Sequence, residues 1–405
     1  MNLFRALRIR PFALLWSGQT VSRLGDGLFT VALSWWVLEQ TGSAVAMGLV
    51  QIFRVVPNLI FLLIGGVLAD RLPRLRVMLA SDGLRGLLLL VVTVLTAVHA
   101  LQVWHIYIAS LIFGFVDAFF QPAYTAVVPD VVPVDALPSA NSLTALSGQF
   151  AGIFGTAVGG VIVAIGGSSA AFGLDGLSFF VSAACILPIL GSVVLHPKKT
   201  DAPTPNAFRE LREGLTTVFG TPWLWITILL SAFSNMFVSS AFSIATPFLV
   251  KDNLHADSAM FGLILALFSF GSIIGAVGMG SVHKLKHRGL LTYMAWILAP
   301  LLIIPVGLTQ NVVLVCVMTV FIGIGFASGQ LIWTNVLQEL VPANLLGRVS
   351  SVDQFGSFVL IPFGLGFVGW ATGQFGAPLI FSVGGLLAAG VMSLGLLSKA
   401  VRTLD

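Results

Sequence analysis

A chain of 405 residues with 57% hydrophobic side chains, 9% charged ones and a mean hydropathy of +1.01 is not a water-soluble body. Soluble domains carry about 25% charged residues; the 20 basic and 16 acidic side chains here cannot cover a protein of this size, so lipid must cover most of it. The net charge of +4 is too small and scattered for a nucleic-acid partner. Cys185 and Cys316 both lie inside apolar runs, which offers neither a disulfide framework nor a metal site.

The first apolar run follows Arg5, Arg8 and Arg10, but it is too long for a signal peptide and lacks a small-residue cleavage pattern, so it reads as a retained span. A bilayer core takes about 20 apolar residues per helix, and runs of that kind occur twelve times. In the first half they fall at Phe12 to Leu38, Val45 to Ala69, Val77 to Val98, Trp104 to Val128, Ser139 to Ile165 and Ala170 to Leu195. In the second half they fall at Trp223 to Leu249, Ala259 to Val282, Leu290 to Leu308, Val312 to Leu337, Val349 to Trp370 and Pro378 to Leu397. Continuous runs of this length exclude a β-barrel, whose strands alternate over about ten residues. The longest polar stretch, 196–222, carries an amphipathic segment around Phe208 to Val218 and reads as a linker. The expectation is an all-α membrane protein of twelve transmembrane helices in two six-helix bundles, 1–195 and 223–405.

Placing the N-terminus inside puts 16 of the 20 Lys and Arg residues in cytoplasmic loops and tails, with Lys251 outside and Arg23, Arg54 and Arg85 within spans. The excess of cations on one side predicts that both termini are cytoplasmic. An internal repeat appears at an offset of 209: Gly114 matches Gly323, Gln121 matches Gln330, Thr125 matches Thr334, Pro133 matches Pro342 and Ser142 matches Ser351. The same offset sets Asp26 against Asn235. Parallel repeats of six helices suit a transporter with its substrate site between them.

At this point the residues resemble a known family. The segment Gly66-Val67-Leu68-Ala69-Asp70-Arg71-Leu72-Pro73-Arg74 is similar to the G-x-L-a-D-r-x-G-r loop of the major facilitator superfamily, with Pro73 where Gly is usual. Ser22 to Asp26, Pro122-Ala123, Asn141-Ser142-Leu143, Leu174 to Phe179, Val341-Pro342 and Gly347-Arg348-Val349 resemble its drug:proton antiporter branch, which includes macrolide-efflux-like proteins and the enterobactin exporter. The branch's G-x-x-x-G-P-x-x-G-G pattern survives in the fifth span as Ala151, Gly155, Thr156, Gly159 and Gly160, without its first Gly and its Pro. The resemblance implies the major facilitator fold and an energised exporter. It also implies a cytoplasmic gate in which Asp70, Arg71 and Arg74 latch against the eleventh span near Arg348 and Val349; Asp353, near the inner end of that span, is a further gate candidate by its position. The alternative for these residues is that they are simply charges of the cytoplasmic face.

A charge at the bilayer centre costs at least about 2.5 to 3.5 kcal/mol on insertion scales, so each one requires a pathway or a partner. Asp26 lies mid-span on a face with Gln19, Ser22 and Thr30, and Arg23 is one turn away. That arrangement suits either a proton carrier or a structural Asp26/Arg23 ion pair. Asp117 shares a face with Gln121 and Tyr124, and is expected to pair with Arg54 or Arg23. Arg85 and Asp82 read as a local ion pair at i and i+3, and Asp175 as a structural partner near a helix start. The second half offers Ser231, Asn235 and Ser239, then Gln330, Trp333 and Thr334, with Phe242 and Phe268 as aromatic walls. Gly148, Gly152, Gly155 and Gly159 form a close-packing stripe.

Taken with the resemblance, which implies an energised exporter, these residues predict a proton-driven exporter of an amphipathic small molecule, coupled through Asp26, Asp117, Arg23 and Arg54, with a cavity of Gln19, Ser22, Gln121, Tyr124, Asn235, Gln330, Trp333 and Thr334. A lipid or siderophore exporter, or a uniporter, is the alternative. No nucleotide loop, nucleophile constellation or metal-ligand cluster appears, so neither enzyme activity nor a cofactor is expected. The expected setting is a monomer in a bacterial cytoplasmic membrane.

Overall fold

The computed structural model describes residues 3–69, 72–190, 207–280, 282 and 285–404, and among these all regular structure is helical. The first half contains α1 (Arg10–Thr41), α2 (Ala44–Ala69), α3 (Arg74–Ala97), α4 (Val103–Val131), α5 (Leu137–Phe150) and α6 (Thr156–Leu190). An amphipathic helix, α7 (Ala207–Gly220), occupies the end of the expected linker, whose residues 196–206 lie outside the described ones. The second half contains α8 (Pro222–Ser240), α9 (Ser258–Gly280), α10 (Arg288–Leu308), α11 (Val312–Leu340), α12 (Leu346–Phe358), α13 (Ile361–Phe375) and α14 (Ala377–Gly395).

Ten helical segments among the described residues are long and apolar enough to cross a bilayer. The helix α1 is not among the ten; it carries Arg10, Arg23, Asp26 and Glu39 within its 32 residues. The expected fifth and sixth spans are not separated by a polar loop. They join in one helical stretch, Val134–Leu190, whose direction changes at Gly167, where φ is 72° and ψ is 170°. Only glycine takes that conformation without a steric penalty, so a single residue does the work of a loop. Gly376, at φ 79°, serves the same purpose between α13 and α14. The expected eleventh span is likewise two helices, α12 and α13, parted around Val359 and Leu360. Elsewhere the ends follow ordinary capping chemistry: the Asn311 side chain accepts the Leu314 N–H at 3.1 Å to open α11.

The chain divides into two compact units, Met1–Pro197 with Ala256–Ala266, and Lys198–His255 with Leu267–Asp405. Within the first, α1 and α3 pack on α6, and α2 packs on α4. Lipid tails are as apolar as leucine, so close backbone approach must supply much of the association. Gly155 and Gly159 of the expected glycine stripe do this against α1, whereas Gly148 meets only the Arg23 side chain and lines an open depression. A Cβ at Gly27 would stand 2.7 Å from the backbone carbon of Gly155, where the helix winds as a π turn over Ala151–Gly155. Within the second unit, α10 packs on α11 and α14, and α8 on α12, α13 and α14. Its π turns, Ala241–Ala245 and Leu249–Asn253, extend α8.

The repeat is visible in local bonds within each unit. Thr125 Oγ1 donates to the Gln121 carbonyl and Thr334 Oγ1 to that of Gln330. Ser142 Oγ donates to Pro138 and Ser351 Oγ to Gly347. The Ala136 N–H meets the Pro133 carbonyl as the Leu345 N–H meets that of Pro342. Gly114 and Gly323 each lie against a carbonyl of a neighbouring helix, Arg54 of α2 and Phe268 of α9.

Candidate functional site

In the first unit, the mid-span charges gather into one network. Arg85 Nη2 holds Asp82 Oδ1 at 2.7 Å, and its Nη1 reaches Asp117 Oδ1 at 3.2 Å. Arg54 Nη2 approaches the other oxygen of Asp117 at 3.5 Å. Asp117 therefore bridges Arg54 and Arg85, and Arg23 is not its partner. Arg85 is more than half of a local i, i+3 pair: it ties α3 to α4. Its guanidinium is sandwiched between Phe120 and Phe179, at 4.2 and 4.4 Å from the ring centroids. Such stacking replaces part of the hydration that burial removes.

Gln19 is not a cavity residue. It is buried, and its amide donates to Ser182 Oγ at 2.7 Å beside Asp82, which accepts from the same serine at 2.7 Å. Ser22 is buried as well. Asp26 lies within the electrostatic reach of Arg85, Asp117, Arg54 and Asp82, yet its carboxylate makes no hydrogen bond or ion pair among the described residues. Asp175 belongs to the same neighbourhood rather than to a helix start. It stands two turns beyond Gly167, fully buried, and a side chain at Gly25 of α1 would collide with it. Its Oδ1 accepts from Ser178 at 3.2 Å, while Oδ2 has no partner among the described residues. Asp82 and Asp117 thus hold the guanidinium groups of Arg54 and Arg85, and Asp26 and Asp175 lie near them without an ion pair among the described residues.

Arg23 turns away from Asp26. Its Nη1 donates to the Thr144 carbonyl at 2.8 Å and Ser147 Oγ at 3.3 Å, and its guanidinium lies 5.2 Å from the Tyr124 ring centroid. A helix carbonyl keeps a second lone pair, and α5 offers the one on Thr144. An open depression here is lined by Arg23, Asn141, Thr144, Ala145, Gly148 and Gln149. Tyr124 Oη sits 3.4 Å from Thr144 Oγ1, and Gln121 is exposed.

In the second unit the polar residues line a cavity of about 500 Å³. Asn235, Gln330, Trp333 and Thr334 meet there, and Ser231 with them. Asn235 is committed to the Ser357 carbonyl at 3.1 Å. Trp296, Phe326 and Phe358 supply aromatic wall. Phe242 and Phe268 do not line this cavity; they pack on each other, with centroids 5.6 Å apart. Asp353, expected at the gate, lies in the cavity, where its Oδ2 accepts from Trp333 Nε1 at 3.2 Å.

The remaining gate residues have local partners. Arg74 meets Asp130 at 2.7 Å and the Ala126 carbonyl at 3.3 Å; Arg348 meets Glu213 of α7 at 2.5 Å. Asp70 and Arg71 lie outside the described residues. Sequence reasoning passed over Asp175 and Arg85 as parts of the network. The available signal was the one used for Asp26, an ionisable side chain inside an apolar run.

Known proteins bear on this geometry. The profile of the family described as transmembrane secretion effector matches residues 2–403. Macrolide efflux protein A of Streptococcus pyogenes is 26% identical over 361 residues, covering 87% of both chains. The enterobactin exporter EntS of Escherichia coli is 26% identical over 347 residues, 85% of this chain and 82% of that one. The multidrug efflux pump Tap of Mycolicibacterium fortuitum is 25% identical over 366 residues, 88% and 87% of the two. The crystal structure of the nucleoside transporter NupG superposes with a TM-score of 0.74 at 14% identity, covering 98% of this chain and 99% of that one.

Proposed function

Because this chain belongs to the major facilitator superfamily, in its family of transmembrane secretion effectors, we propose that it exports an amphipathic small molecule by proton antiport with alternating access. It is a multi-pass membrane protein of an efflux family; the cargo, the coupling and the mechanism are the proposal. The observation that carries it is the cluster of buried Asp82, Arg85 and Asp175 with half-buried Asp26, Arg54 and Asp117. A bilayer-buried carboxylate without a bonded partner is costly to keep, and proton relays are the usual reason for one. Asp26 is the group with the freedom to gain and lose a proton, since its carboxylate is tied to no described side chain. The Arg54–Asp117 contact, at 3.5 Å, is the loosest of the ion pairs around it and the one most easily exchanged.

The relatives named for macrolide, enterobactin and multidrug efflux support a bulky amphipathic cargo, and the amide- and tryptophan-lined cavity of the second unit has the volume for one. We place twelve spans in the protein: the ten apolar segments, α1, and the division of Val134–Leu190 at Gly167. Both termini are cytoplasmic on the distribution of Lys and Arg, and the protein works as a monomer in a bacterial cytoplasmic membrane.

The test is flux of a confirmed substrate in proteoliposomes with and without an imposed pH gradient. Acceleration by an inward gradient, lost in Asp26→Asn, is the expected result. Flux indifferent to both the gradient and the substitution would remove proton antiport.

A further inference from the structure

Arg23 is the mid-span arginine that the charge network leaves out. Arg54 and Arg85 each reach a carboxylate, whereas Arg23 makes no ion pair among the described residues. It stands about 20 Å along α1 from Arg10, a depth at which an arginine needs a partner or a watery path. Its guanidinium is nevertheless fixed. Nη1 is spent on the Thr144 carbonyl and Ser147 Oγ, and the Tyr124 ring supports the group with its centroid at 5.2 Å. The remaining edge, Nε and Nη2, carries two parallel N–H donors with no acceptor among the described residues. Two such donors match the two oxygens of a carboxylate.

The surroundings suit an anion. Arg23 lines an open depression of about 530 Å³, and no acidic side chain among the described residues lines it with Arg23. Asn141 and Gln149 do; both are exposed, and their side-chain amides make no hydrogen bond among the described residues. A Cβ at Gly148 would stand 3.4 Å from Nη1, so the glycine leaves that flank of the guanidinium uncovered.

The repeat argues against a purely structural role. At the offset of 209, Asn141, Thr144 and Gly148 correspond to Ser350, Asp353 and Ser357, which line the second unit's cavity. Tyr124 corresponds to Trp333, so the contact of Tyr124 with Thr144 recurs as that of Trp333 with Asp353. Arg23 itself corresponds to Ala232, which is buried, and α8 packs on α12 without a cation there. Closing α1 on α5 therefore does not require a guanidinium. The equivalent places hold opposite charges, Arg23 in the first unit and Asp353 in the second.

We propose that the first unit's depression binds the carboxylate of an amphipathic organic acid, with the Nε–Nη2 edge of Arg23 gripping both oxygens and the amides of Asn141 and Gln149 meeting polar groups of its body. The proposal takes its biological purpose from the export reading, since it makes the cargo an anion, but binding itself requires neither a proton gradient nor turnover.

The experiment is equilibrium binding to the full chain in phosphatidylcholine nanodiscs, without any gradient, of 1-pyrenebutyrate and of its neutral, similarly shaped amide, with lipid-only discs subtracted. Wild type is expected to bind the carboxylate about tenfold or more tightly than the amide. Arg23→Gln should weaken the carboxylate by about tenfold and change the amide by less than about twofold. Arg23→Lys should recover only part of the loss, because an ammonium keeps the charge without the paired donors. Gln149→Glu sets a competing carboxylate in the depression while sparing the bonds of Arg23 to α5, and should weaken the carboxylate probe by about fivefold. Equal wild-type affinities for the two probes, no wild-type binding of the carboxylate, or a carboxylate affinity untouched by both Arg23→Gln and Gln149→Glu would each overturn the proposal. Flux indifferent to a pH gradient alongside the expected binding pattern would overturn proton antiport and leave this site standing; gradient-driven flux without carboxylate preference would do the reverse.

Discussion

The two units share a helical scaffold and differ in where they keep their charge. The first buries its ions: Asp82 and Arg85 are 0% and 3% exposed and bond each other directly. The second lines a cavity with Asp353, a carboxylate that faces tryptophans and amides. Position 117 of the first unit carries an aspartate, and its counterpart, Phe326, is cavity wall. Duplication thus preserved the features that helix packing needs, such as Gly114 and Gly323 under neighbouring carbonyls, and left the chemistry free to diverge. Backbone close approach tolerates almost no substitution, whereas a side chain facing a cavity meets no such constraint.

The comparison breaks most visibly at Arg85. Removing it in Arg85→Met leaves Asp82 and Asp117 short of a shared partner inside the protein, and should cost about 3–5 kcal/mol, seen as a large fall in thermal stability in detergent. Asp82→Asn in the same chain should restore part of that loss. If Arg85→Met melts with wild type, the network is not structural. Gly155→Val comes next. Its Cβ would stand 2.7 Å from the Leu24 carbonyl oxygen, and the strain should cost about 1–3 kcal/mol, while Gly278→Ala, with open space around it, should be neutral or slightly stabilising by the same assay. For stability, Asp353→Asn should cost no more than about 1.5 kcal/mol, since the Trp333 bond is the one it makes among the described residues. A loss matching that of Arg85→Met would show that Asp353 is as structurally committed as the first unit's ions. Smallest of all is Arg74→Ala, whose pair with Asp130 is partly exposed, with an expected effect of about 0.2–1 kcal/mol on melting.

Much of this was legible in composition and spacing. Long apolar runs mark the helices because a bilayer leaves no other way to satisfy backbone polar groups. The offset of 209 identified Asn235, Gln330, Trp333 and Thr334, which line one cavity. Pairing was not legible. Asp26 and Arg23 are neighbours on one helix, yet Arg23 bonds α5, because a carbonyl and a ring from another helix lie within its reach. Asp353 read as a gate residue because it lies near the inner end of its span; residues of α8, α11 and α12 line a common space, and Asp353 is among them. Asp175 read as a helix-start residue because a gap was expected before it, and a single glycine closed that gap.

The sequence by itself determined that the chain lives in lipid, that it is helical, that it repeats, and which few ionisable residues demand a partner. These follow from one-dimensional quantities: run length, residue type and offset. Only the tertiary structure decided which charge meets which, and that the two repeats hold charges of opposite sign in equivalent places. Arg23 and Asp353 come from non-equivalent helices, so no alignment of the halves sets them against each other until α1 and α12 are folded against their own neighbours.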